Sequence, residues 1–220
     1  MISHIIFDCD GVLIDSEKLS MDVDISLLAL HGIHLTGAEM HHRFVGTTFE
    51  AMVAELAKEY GRPLPPDLSI RKNSRMLDLY RSELKPVPGV IAMLEKLALP
   101  RSIGTNGPRH RALEALRVTG LAPFFGDRLT TYEDVQSGKP APDIYQLAAK
   151  RAGLKPDQCL VVEDSITGAT AALAAGCEVI GFTGVAHDRV AKTEELARLG
   201  VSRIIHEMVD LLAAISPIAA

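Results

Sequence analysis

The chain is short of cysteine, of net positive charge and of long apolar runs, and each shortage excludes a class of protein. Three cysteines in 220 residues, Cys9, Cys159 and Cys177, are odd in number and far apart. They cannot frame a disulfide scaffold, and they fit a reducing compartment where thiols pack as small apolar groups. Lysine and arginine total 23 against 28 aspartate and glutamate, a formal net charge of −5, whereas a nucleic-acid footprint needs a basic face. No apolar run reaches the roughly 18 residues of a membrane span. Residues 1–6 meet Asp8 and Asp10 before the apolar core of a signal peptide could form. The expectation is a cytoplasmic protein with no nucleic-acid or membrane partner. With 47% hydrophobic and 23% charged residues the composition is that of a globular protein. The length predicts about one and a half domains.

Short continuous apolar runs alternate with helical patterns through most of the chain. The runs are His4–Phe7, Arg101–Gly104, Arg128–Thr131, Cys159–Val162, Glu178–Phe182 and a weaker Arg203–Ile205; such runs, ended by turns, are those of buried parallel strands. Apolar residues at helical spacing fill 89–97, 110–118, 143–152, 165–175 and 188–199, with Gly153 and Gly176 where helix-ending glycines belong. This predicts an α/β fold, a parallel sheet with helices on both faces. Residues 16–85 break the rhythm. They hold no convincing strand and four helical patterns, about 16–31, 36–43, 48–60 and 67–84, separated by Gly32, Gly46 and the 61–66 loop. A crossover needs only a dozen or so residues, so 16–85 is expected to be an inserted all-helical domain, with 1–15 and 86–220 forming the core.

Four polar islands follow the strands: Asp8-Cys9-Asp10-Gly11-Val12, Thr105-Asn106-Gly107, Lys139-Pro140 and Glu163-Asp164-Ser165. In an open α/β sheet ligands gather beyond the carboxyl ends of strands. Three of the islands have a bland reading: a turn for the first two, with Asn106 left-handed, and a helix cap for the last. Together, on successive strands, they point to one site. At least three carboxylates converge there, Asp8, Asp164 and one of Asp10 or Glu163. Like charges about 4 Å apart repel by roughly 4 kcal/mol at an effective dielectric near 20. An all-oxygen cluster of this kind calls for a hard cation, with Mg²⁺ the usual choice, and with lysine and hydroxyl donors nearby it suits a phosphoryl dianion.

The segment 7–16, Phe-Asp-Cys-Asp-Gly-Val-Leu-Ile-Asp-Ser, resembles the haloacid dehalogenase superfamily when taken with Thr105, Lys139-Pro140 and Glu163-Asp164. More narrowly the chain resembles the phosphoglycolate phosphatase and β-phosphoglucomutase-like subgroup, in which a helical cap follows the first strand. The resemblance implies a Rossmann-like core and a substrate-selecting cap. It implies Asp8 as nucleophile and Asp10 as general acid and base. Thr105, the Asn106 backbone and Lys139 would hold the phosphoryl group, and Mg²⁺ would sit on Asp8, the Asp10 carbonyl oxygen and Asp164, with Glu163 in support. The implied activity is Mg²⁺-dependent hydrolysis of a small phosphorylated metabolite, of sugar phosphate, phosphogluconate or phosphoglycolate type, by a monomer or weak homodimer. The alternative is a phosphosugar mutase. Mutases of this subgroup carry a histidine where this chain has Ser20 and an arginine where it has Phe49; Arg71-Lys72-Asn73 alone resembles their basic cap segment.

Elsewhere the bland reading competes. His41 and His42, adjacent on a helix, do not share a face and are not expected to form a metal site. Arg109, His110 and Arg111 follow the Thr105 loop; a contact with an anionic substrate competes there with a solvated helix start, which is the favoured reading. Gly46, Thr47 and Lys72 are candidate substrate contacts in the cap. Cys9 is expected to pack in the core.

Overall fold

The computed structural model describes residues 1–44 and 47–219. The described chain divides into two compact units, Met1–Asp15 with Lys85–Ala220, and Ser16–Leu84.

The first unit is built on a six-stranded, all-parallel sheet. Its strands are β1 (His4–Phe7), β4 (Arg101–Thr105), β5 (Leu129–Thr131), β6 (Cys159–Glu163), β7 (Glu178–Phe182) and β8 (Arg203–Ile205), in the order β5-β4-β1-β6-β7-β8. The chain fills one side of β1 with β4 and β5 and then crosses to the other side for β6, β7 and β8. The topology therefore reverses at β1, where ligands of open α/β sheets bind. Register puts Phe7 opposite both Ile103 and Val162, so the strand ends that carry the polar islands are level.

Helices α5 (Val90–Lys96), α6 (Arg109–Val118), α7 (Ala122–Phe125), α8 (Asp143–Arg151), α9 (Ile166–Ala175), α10 (Arg189–Arg198) and α11 (Leu211–Ala219) belong to this unit. All four residues of β1 are buried, and their alternation sorts the neighbours. Ile6 joins a cluster with Tyr145, Ala148 and Ala149 of α8. Phe7 meets the ring of Phe125 in α7 edge-on at 6.0 Å. Successive strand side chains point to opposite faces, so α8 and α7 cover different faces of the sheet. Cys9 is buried, as expected of a small apolar group.

Two further strands, β2 (Ile14–Asp15) and β3 (Lys85–Pro86), pair antiparallel. Two residues carry no periodicity, so this ladder was invisible to pattern reading. It puts Lys85 with the core, one residue earlier than the expected boundary.

The second unit holds α1 (Glu17–Ala29), α2 (Gly37–Phe44), α3 (Phe49–Glu59) and α4 (Leu68–Glu83), close to the four expected segments. Leu28, Ile33, Met40, Phe44, Met52 and Leu56 share its hydrophobic cluster. Among the described residues no helix is long and apolar enough to cross a membrane.

Candidate active site

The core-unit islands do come together. Lys139 Nζ donates to Asp8 Oδ1 at 2.6 Å and to Glu163 Oε1 at 2.7 Å. All three groups are buried, Glu163 completely. The Tyr145 hydroxyl donates to the same Glu163 oxygen at 2.7 Å. Glu163 Oε2 accepts from the backbone N–H and the hydroxyl of Ser165, at 3.0 and 2.9 Å. Ser165 is also the N-cap of α9, its hydroxyl accepting from the Gly168 N–H at 3.0 Å.

One ammonium thus serves two buried carboxylates, and they are unequally supported. Burial opposes ionisation of Glu163, but the Lys139 charge and the hydrogen bonds from Lys139, Ser165 and Tyr145 outweigh it and hold its carboxyl below the ordinary value. Asp8 has less support. Burial pushes its carboxyl up to about 7 against the pull of Lys139, and the charges of Glu163 and Asp10 push the same way. Burial likewise disfavours the Lys139 ammonium, but Asp8 and Glu163 outweigh it and raise its pKa above the ordinary lysine value. Burial, with Glu163 beside it, pushes the Tyr145 hydroxyl well above its usual value, so it stays a donor.

Asp164 completes the acidic group. Oxygens of Asp8, Glu163 and Asp164 lie within 4.8 Å of one another. A Cβ at Gly11 would stand 2.2 Å from Asp164 Oδ2, and the Gly11 φ of 81° is itself left-handed. Glycine is therefore required on both steric and conformational grounds. The donor set is all oxygen, as a hard divalent cation prefers. Asp8, under-neutralised by Lys139 alone, and Asp164 could hold such an ion. Glu163 already accepts four hydrogen bonds, which suits it to orienting Lys139 and Ser165.

The other islands position the same lysine. Asn106 Oδ1 accepts from the Lys139 N–H at 2.9 Å, and Asn106 Nδ2 donates to the Lys139 carbonyl at 3.0 Å. The Asn106 side chain thus pins the Lys139 loop, a task beyond the backbone role implied by resemblance. No non-glycine residue among those described has a positive φ, so the left-handed Asn106 turn does not occur. Thr105 is buried, with its hydroxyl accepting from the Gly107 N–H at 2.9 Å.

Two residues here escaped pattern reading. Tyr145 lies in the buried stripe of α8 with Ile144, Ala148 and Ala149; a tyrosine in such a stripe needs an acceptor for its hydroxyl. Arg111, expected in solvent, has a side chain only 16% exposed, and its Nη2 lies 3.9 Å from Asp10 Oδ2. It sits four residues before buried Ala115 and so on the same flank of α6, which was a usable signal. Arg109 turns instead to Asp134, at 2.6 Å.

In the helical unit, Lys72 Nζ lies 2.8 Å from Asp24 and 4.5 Å from the Phe49 ring centroid. A cavity of about 200 Å³ within this unit is lined by Ser20, Asp24, His41, Thr47, Phe49 and Lys72 among others. The Thr47 hydroxyl donates to the Phe44 carbonyl at 2.6 Å. Gly46 lies outside the described residues.

A parallel sheet whose switch point carries an aspartate, a lysine and a further acidic pair defines a hydrolase of a recognisable class. The family model for haloacid dehalogenase-like hydrolases matches residues 2–176, and the chain belongs to that family. It is 29% identical to the 6-phosphogluconate phosphatase of Escherichia coli strain K12, over 86% of each chain. It is 33% identical to a phosphorylated carbohydrates phosphatase of Thermotoga maritima, over 83% of this chain and 85% of that one. Among solved structures, a conserved haloacid dehalogenase-like protein of Agrobacterium tumefaciens superimposes with a TM-score of 0.88 at 35% identity, each chain fully covered.

Proposed function

We propose that the protein is a Mg²⁺-dependent phosphatase that hydrolyses a small phosphomonoester of the sugar-phosphate type through an aspartyl-phosphate on Asp8. The observation that carries this reading is Lys139 bridging Asp8 and Glu163 beside Asp164. Asp8 is the attacking carboxylate. Its oxygen bonds to phosphorus as the ester P–O bond breaks, and Asp10 gives its proton to the departing alkoxide. Asp10 then takes a proton from water, whose oxygen attacks phosphorus; phosphate leaves and the Asp8 carboxylate is restored. Thr105 and the Asn106 backbone orient the phosphoryl oxygens. Lys139, held by Glu163 and the Asn106 side chain, keeps its positive charge beside the reacting oxygens throughout. Asp8, Asp164 and the Asp10 carbonyl would hold Mg²⁺, which when bound offsets the repulsion between Asp8 and an incoming phosphoryl dianion.

The relatives named for phosphogluconate and phosphorylated carbohydrates support a phosphorylated sugar or sugar acid as substrate. The helical unit favours hydrolysis over mutase chemistry. Its Lys72 is already neutralised by Asp24, and Phe49 stands where the mutases of the subgroup carry arginine, so little cationic surface is left for a second phosphate. The test is a panel of sugar phosphates, phosphogluconate, phosphoglycolate and sugar bisphosphates assayed with Mg²⁺ for free phosphate and for isomerised product. Phosphate release without isomerisation is expected; bisphosphate-dependent isomerisation would replace the phosphatase by a mutase.

A further inference from the structure

We propose that Arg111 is a positioning residue that holds the Asp10 carboxylate for proton transfer to the leaving group; this rests on the phosphatase reading above. Three polar groups converge on Gly107, just ahead of α6. A Cβ there would lie 3.3 Å from Arg111 Nη2, 3.3 Å from Thr105 Oγ1 and 3.5 Å from Asp10 Oδ2. Side chains on a helix lean toward its N-terminus, so a first-turn arginine on the flank of Ala115 reaches back over this loop. The Arg111–Asp10 ion pair at 3.9 Å joins a largely covered guanidinium to a carboxylate 37% exposed.

The pair suits an acid and base that must keep one orientation through two proton transfers. A guanidinium stays charged at every working pH and presents its donors in a fixed plane. It attracts the carboxylate in the base half of the cycle. In the acid half it keeps a fixed positive charge on the side of the carboxyl oxygen that does not carry the proton. Arg109, two residues earlier, has a different partner in Asp134, so facing Asp10 is a property of position 111 and not of the basic helix start.

The effect of Arg111 should depend on the leaving group. An alkoxide needs a proton as it departs, whereas p-nitrophenolate needs almost none. Single-turnover cleavage of glycerol phosphate and of p-nitrophenyl phosphate should be compared in wild type, Arg111→Met and Arg111→Lys. The methionine variant should lose about 10-fold or more in the glycerol phosphate rate and less than about 2-fold in the p-nitrophenyl phosphate rate. KM should hold within about 2-fold for both esters, and the lysine variant should recover part of the alkyl ester rate. Equal losses on both esters, or a rise in KM for both, would make Arg111 a phosphoryl contact and overturn the proposal. Unchanged rates on both would also overturn it. Should the methionine variant fail to fold, the lysine variant carries the same comparison, with a smaller loss confined to glycerol phosphate expected. An Asp8→Asn variant retaining either activity would instead refute the phosphatase reading itself, which separates the two failures.

Discussion

Replacing Gly168 by alanine should destabilise the protein, although helix propensity alone predicts the opposite. Gly168 is the third residue of α9, and alanine inside a helix is favoured over glycine by about 1 kcal/mol. A Cβ at this position, however, would lie 1.6 Å from Glu163 Oε1, 2.0 Å from Cδ and 2.5 Å from Oε2. The carboxylate would have to move, and it is completely buried, with Lys139, Tyr145 and Ser165 all donating to it. Breaking a buried ion pair by displacing one partner costs about 3–5 kcal/mol. Against a propensity gain of about 1 kcal/mol the net loss is about 2–4 kcal/mol. For a chain of this size each kcal/mol shifts Tm by roughly 2–4 °C, so a fall of about 4–16 °C is expected. Activity should drop with it, because Glu163 orients Lys139 against Asp8. Urea unfolding followed by circular dichroism, with thermal melts and phosphate release on the same samples, checks both effects. An alanine variant with a urea midpoint at or above wild type and full activity would refute the packing argument.

Tyr145→Phe removes one donor to Glu163 Oε1 and leaves Lys139 in place, so a loss of about 1–2 kcal/mol is expected in thermal melts. Asp134→Asn should destabilise at neutral pH, by an amount that shrinks as pH falls below about 4. Burial works against ionisation of Asp134, but hydrogen bonds from Arg151 and the Thr131 N–H and the charge of Arg109 hold its carboxyl well below the usual range. A carboxyl with a depressed pKa stabilises the fold above its ordinary value near 4 and loses that contribution as pH falls. Melts from about pH 7 to pH 3 should therefore show a constant gap between the two proteins down to about pH 4 that begins to close below it. Removal of divalent metal with a chelator should abolish phosphate release, and Mg²⁺ should restore it. Mg²⁺ should also raise Tm by mass action on the folded state; activity indifferent to chelator would remove the metal from the account.

Much of this was legible from the residues because the site sits where strands end. His4–Phe7 is a continuous apolar run stopped by Asp8, and that alone marks a buried strand with a polar group at its carboxyl end. The other five strands of the parallel sheet could be read the same way, whereas the two-residue β2 and β3 could not. The helical insertion was expected over 16–85 because that stretch offers helical spacing and no continuous run. Other features depend on contacts made across the fold. The Asn106–Lys139 bridge joins residues 33 apart, and nothing local to either announces it. Glu163 stands beside Asp164 in the sequence, but the donors that hold it, Lys139 and Tyr145, are brought to it only by the fold. A basic helix start usually faces water, whereas the register of Arg111 with Ala115 turns it inward. Helix α11 carries Pro217 past its first turn, where proline argues against a helix interior.

The central claim is that Asp8 carries the phosphoryl group. Wild-type protein with Mg²⁺ should be mixed with a substrate labelled in its phosphoryl group, quenched in acid within one turnover and digested. The label should appear on the peptide containing Asp8, be released by hydroxylamine as an acyl phosphate is, and be absent from the Asp8→Asn variant. Label on another residue, or steady hydrolysis by Asp8→Asn, would contradict the account.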